Sequence, residues 1–130
     1  MKKIISTVLV CVLLFGCMLT LASCGSPNTD YKKAAEALES EGYTVTVKEN
    51  TNGFAATVYA EKEDVKKRTL DSIELFYYST EADAEAAYAE LEAAYEKEAE
   101  SKKGTDSEIS YGLDGVLIYK GTVDAVKAAK

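Results

Sequence analysis

The groups in this sequence that could do chemistry are carboxylates, tyrosines and three cysteines; there is no histidine. Without histidine the commonest proton shuttle is missing, and a zinc site loses one of its two favoured ligand types. No P-loop, GxGxxG or GxSxG pattern occurs. Two carboxylates alone can hydrolyse a glycoside, and Glu74 is the acid placed to serve a carboxylate enzyme. Most other acids fall on helix faces or in the charged run Glu61–Arg68, where solvation is the simpler role. Calcium loops require D-x-[DN]-x-[DN]-G-x₅-E; Asp114-Gly115 and Glu61–Asp64 do not fit it. The expectation is a non-catalytic protein with no cofactor and no metal.

The aromatic residues carry a different message. There are nine Tyr and no Trp. Tyr31, Tyr43, Tyr88 and Tyr95 fall on apolar stripes, as core-edge residues with a wet hydroxyl do. Alternation instead places Tyr59, Phe76 and Tyr78 on one sheet face with Thr44, Thr46 and Thr57. Aromatics among threonines on an open sheet are raw material for a binding surface. Tyr59, Phe76, Tyr78, Thr46 and Thr57 are therefore the candidate binding face. The competing role is cross-strand stabilisation alone.

Several elements must position these residues. Asp30 caps a helix expected over Tyr31–Glu41, and Gly42 stops it in the left-handed conformation, with Tyr43 reaching back to Leu38. Tyr43–Lys48 alternates as a strand, Asn52-Gly53 is a strong hairpin signal, and Phe54–Glu61 returns. A two-residue loop there makes Val47 face Val58, Val45 face Ala60, Thr46 face Tyr59 and Lys48 face Thr57. One face is then apolar and the other polar from both strands, which a slip of one residue would destroy. Glu61–Arg68 reads as a connection, and Thr69–Tyr78 as a third strand. A long helix capped by Ser79 or Thr80 has acids in its first turns and an apolar stripe at Ala84, Tyr88, Leu91 and Tyr95. Ser107–Leu113 and Val116–Lys120 flank Asp114-Gly115, and a last short helix follows at Val123–Ala129. The order is α-β-β-β-α-β-β-α. No βαβ rhythm is present, so the expected fold is α+β: two layers, a mostly antiparallel sheet with helices on one face.

The first residues say where the domain resides. Met1-Lys2-Lys3 is a positive start, and Ile4–Leu21 carries no charge. Small residues follow, in the layout of a secretory signal. Leu21-Ala22-Ser23-Cys24 resembles the lipobox of bacterial lipoproteins, with Cys24 at the lipidated position. The resemblance covers residues 1–24. It implies diacylglyceryl transfer to the Cys24 thiol, cleavage before it, and anchoring to the outer leaflet of the bacterial cytoplasmic membrane. The division expected is a signal peptide over 1–23, a lipidated tether over 24–29 and a single domain over 30–130. Beyond residue 24 the chain resembles small envelope lipoproteins in size and layout only, and no site residue carries over.

A leader removed at this point takes Cys11 and Cys17 with it and leaves the domain without a free thiol. It also leaves 13 basic residues against 22 acids, a net charge of −9. Such a balance disfavours nucleic acid and anionic lipid, so the expected membrane contact is the lipid on Cys24. The chain, at 130 residues, suits one domain, too few for a two-lobed solute receptor. Hydrophobic residues at 47%, with one Pro, fit a packed fold. The functional expectation is a membrane-anchored binding or interaction module with an envelope protein or glycan as partner. A carboxylate-based envelope enzyme and an inhibitor with an acidic surface are the alternatives.

Overall fold

The computed structural model describes residues 26–130; the leader and Cys24 lie outside the described residues. Helix α1 spans Tyr31–Ser40, and the Asp30 carboxylate accepts from the Lys32 N–H at 3.0 Å. Gly42 adopts φ 89°, which lets the Tyr43 N–H reach the Leu38 carbonyl at 3.0 Å. This is the expected left-handed stop.

Five strands follow: β1 Thr44–Thr51, β2 Phe54–Asp64, β3 Thr69–Tyr77, β4 Ile109–Asp114 and β5 Leu117–Thr122. They form one antiparallel sheet in the order β1-β2-β3-β5-β4. All four facing pairs expected across β1 and β2 are present. Asn52 and Gly53 both have positive φ, at 55° and 83°, as a two-residue turn matched to strand twist requires. The charged run Glu61–Asp64 does not leave the sheet: β2 continues through it, and only Val65–Arg68 connects to β3. The Asp64 carboxylate accepts from the N–H groups of Lys66 and Lys67 at 3.1 Å, closing that turn. In the last hairpin the loop is Gly115-Val116, one residue later than the Asp-Gly signal suggests. Gly115, at φ 60°, occupies the first loop position, where glycine is favoured.

The α+β class, the element order and the antiparallel sheet agree with the sequence reading. The long helix departs from it in one respect. Helix α1 and the short helix α3 (Val123–Ala128) cover the face formed by Val58, Ile73, Leu75 and Leu117, and there Leu38 and Val126 complete the core. Helix α2 (Glu81–Lys102) packs on β4 and β5 from the other side. Its Tyr95 ring meets Tyr111 and its Glu98 meets Lys120, both on the Tyr59–Glu74 face. That half of the sheet is thus a three-layer structure. Along the expected stripe of α2, Ala84 and Tyr95 are buried, while Tyr88 and Leu91 are half-buried.

The described part of the expected tether is fixed to the domain. Ser26 and Pro27 are buried. The Asn28 N–H donates to the Ala129 carbonyl at 2.8 Å, and its own carbonyl accepts from the Tyr77 hydroxyl at 2.7 Å. With both main-chain groups partnered by the folded domain, this segment is part of the structure and not a leash.

Candidate functional site

Strand alternation places Thr46, Thr57, Tyr59, Glu74 and Phe76 on the sheet face opposite α1 and α3, in register from β1 to β3. Helix α2 covers β4 and β5 on this face, and among the described residues no helix covers β1 to β3. The uncovered half is a shallow groove of about 400 Å³, lined by Thr46, Thr57, Tyr59 and Phe76 of the expected face together with Lys48 and Glu74. The size lies within the range of small-ligand sites. Tyr78, the fifth expected residue, borders the groove through a ring neighbour.

That neighbour is Phe54. Its ring lies 5.3 Å from Phe76 and 5.0 Å, edge-on, from Tyr78, so the three form one cluster at the end of the groove beside the β1–β2 turn. Strict alternation from buried Ala56 assigns Phe54 to the opposite face, and that is why sequence reasoning missed it. The usable signal was its place directly after Gly53, at the strand end where a tight turn adds twist.

Tyr59 is 40% exposed, the most open aromatic ring on the sheet. Its hydroxyl donates to Glu61 Oε2 at 3.0 Å, which raises the phenol pKa by holding its proton. Glu74 sits between Tyr59 on β2 and Lys120 on β5 in the register. Lys120 Nζ is engaged by Glu98 Oε2 at 3.0 Å, and Glu98 Oε1 holds Lys102 at the same distance. The two hydrogen-bonded lysines, Lys102 foremost, hold the Glu98 carboxyl below its usual range. Lys120 also lies 5.4 Å from the Tyr95 ring centre. These contacts close the boundary between the covered and open halves of the face.

The groove therefore offers aromatic surface, threonine hydroxyls, one amine and one carboxylate. Among its described lining residues Glu74 is the sole acid, whereas carboxylate glycoside hydrolysis uses two. Among the described residues no cluster of three or more metal-ligating side chains occurs, and no helix is long and apolar enough to cross a membrane. The basic run Lys66-Lys67-Arg68 lies at the far turn, where Lys67 Nζ approaches Asp124 at 3.8 Å with both side chains well exposed. Cys24 lies outside the described residues. The chain was compared with known protein families, curated proteins and solved structures, and none matches it.

Proposed function

We propose that this chain is an exported bacterial lipoprotein, held by lipid on Cys24, whose domain is a non-catalytic binding module for wall glycan. The lipobox-like Leu21-Ala22-Ser23-Cys24 and the charge-free run before it support the anchor. Two acyl chains retain a protein on a bilayer stably where one does not. The observation that carries the binding reading is the open half of the sheet, where Tyr59 and the Phe54–Phe76–Tyr78 cluster border hydroxyl groups in a groove. Sugar rings present apolar faces that stack on such rings and hydroxyls that suit Thr46, Thr57 and Asn52.

Co-sedimentation of the mature lipoprotein with purified peptidoglycan sacculi tests this. Tyr59→Ala and Thr57→Arg, the second filling the groove, are each expected to weaken binding about tenfold, as loss of a central contact does. Sedimentation that is equal for both variants and the parent, or absent for all three, overturns the glycan reading.

A further inference from the structure

The charges on α1 are arranged against its own dipole. Helix α1 has Lys32 and Lys33 in its first turn and Glu36, Glu39 and Glu41 towards its end. A helix dipole favours the reverse, acids first and bases last. Helix α3 runs the other way in charge, with Asp124 in its first turn and Lys127 and Lys130 at its end. The Asn28–Ala129 hydrogen bond places the start of α1 beside the end of α3. All four exposed lysines thus collect at one end of the layer, with Glu39, Glu41 and Asp124 at the other. Three acids share the lysine end: Asp30, which caps α1, Glu49, which accepts from the Tyr31 hydroxyl, and Glu36, one turn after Lys32.

This is also the end where the chain leaves the domain. Buried Ser26 stands two residues from Cys24, and two residues extend at most about 7 Å. We infer that Lys32, Lys33, Lys127 and Lys130 form a docking surface for anionic phospholipid headgroups, which seats the domain on the bilayer by the end of the α1–α3 layer beside the Asn28–Tyr77 bond. The inference rests on the lipid-anchor reading and departs from the expectation, drawn from the net charge of −9, that anionic lipid only repels this domain. The Lys66-Lys67-Arg68 run is not part of this surface, because Lys67 meets α3 at Asp124, the opposite end from Ala129. Basic side chains act on a membrane surface within a Debye length, and the short exit keeps this end of the domain near the headgroups.

The test uses the mature lipoprotein in vesicles carrying a headgroup quencher. A single fluorophore is placed at Ala128→Cys in the helical layer or at Thr46→Cys on the open face. In equimolar phosphatidylcholine and phosphatidylglycerol, the 128 label is expected to be quenched about threefold more than the 46 label. The ratio should fall towards unity in pure phosphatidylcholine, in high salt, and in the Lys32→Glu/Lys33→Glu/Lys127→Glu/Lys130→Glu variant. Equal quenching of the two labels in the anionic vesicles, or a bias that the variant retains, overturns the inference. The mass of the N-terminal peptide separates the two readings: an unlipidated peptide sinks the anchor, whereas a lipidated protein without the bias sinks the docking surface alone. Circular dichroism of the variant checks folding, and reversal at Lys32 and Lys33 favours α1 through its dipole.

Discussion

The Tyr77 hydroxyl donates to the Asn28 carbonyl at 2.7 Å, joining the end of β3 to the segment that leads out of the domain. The same ring meets Tyr31 edge-on at 5.9 Å, so helix α1, the sheet and the chain exit share one residue. Tyr77→Phe keeps the ring and removes the bond. Loss of a single hydrogen bond predicts destabilisation of about 1 kcal/mol and faster amide exchange at Asn28. Thermal melting and hydrogen exchange read the two effects.

Gly121 on β5 lies so close to β3 that an added Cβ would stand 2.7 Å from Ile73 Cγ1 and 2.8 Å from the Ser72 carbonyl oxygen. One of these neighbours is backbone and cannot turn aside. Gly121→Ala is expected to lower stability by about 2 kcal/mol, in the range of overpacked cores. Gly53→Ala meets no neighbour within 4 Å and suffers only its φ of 83°, predicting a smaller loss of about 1 kcal/mol. Denaturant midpoints of the two variants test the order.

Glu98 joins Lys102 and Lys120. Because its folded pKa is lowered, its contribution is present above the unfolded value and lost as pH falls through the folded one. Glu98→Gln should cost about 0.5 kcal/mol at neutral pH, a partly exposed pair being screened by solvent. The difference between variant and parent should vanish in acid, which melting curves from neutral pH down to about pH 3 would show.

At high pH the sign reverses. Burial raises Tyr43 and Tyr88 to about 12 and pushes Tyr77 further still. A raised phenol pKa stabilises fully below the unfolded value of about 10 and is lost as pH climbs through the folded value. Melting temperature is expected to fall between about pH 10 and 12. With no histidine in the chain, it should stay nearly level between about pH 6 and 9. Tyr88→Phe should flatten the alkaline fall.

Reversing charge on α1 alone offers a separate check. Lys32→Glu and Lys33→Glu place acids where the dipole favours them, predicting a gain of about 0.5 kcal/mol. A stabilising change there is what lysines placed for a purpose other than the fold should give. A loss of stability in the melting curve would show that these lysines serve the fold.

How far the sequence could be read depended on the kind of signal. The β1–β2 register was legible because Asn52-Gly53 fixes the loop and Val45, Val47, Val58 and Ala60 then agree on one face. The second hairpin slipped by one residue because Asp114-Gly115 marks a turn without saying which loop position the glycine takes. Periodicity in α2 showed that the helix has a packing stripe, but it cannot name the sheet face that receives it. The fixing of Ser26–Asn28 left no trace in sequence, since it depends on single hydrogen bonds to Ala129 and Tyr77, more than 45 residues distant. The candidate face was legible in Tyr59, Phe76, Thr46 and Thr57, which follow strict alternation. Phe54 was hidden because it does not.

Both the proposed anchor and the proposed docking surface depend on the chemistry of Cys24. Mass spectrometry of the mature N-terminal peptide, purified from membranes in detergent, tests it most directly. The expected result is a peptide that begins at Cys24 and carries a thioether-linked diacylglyceryl group. A peptide that begins elsewhere, or one with Cys24 unmodified, would contradict it.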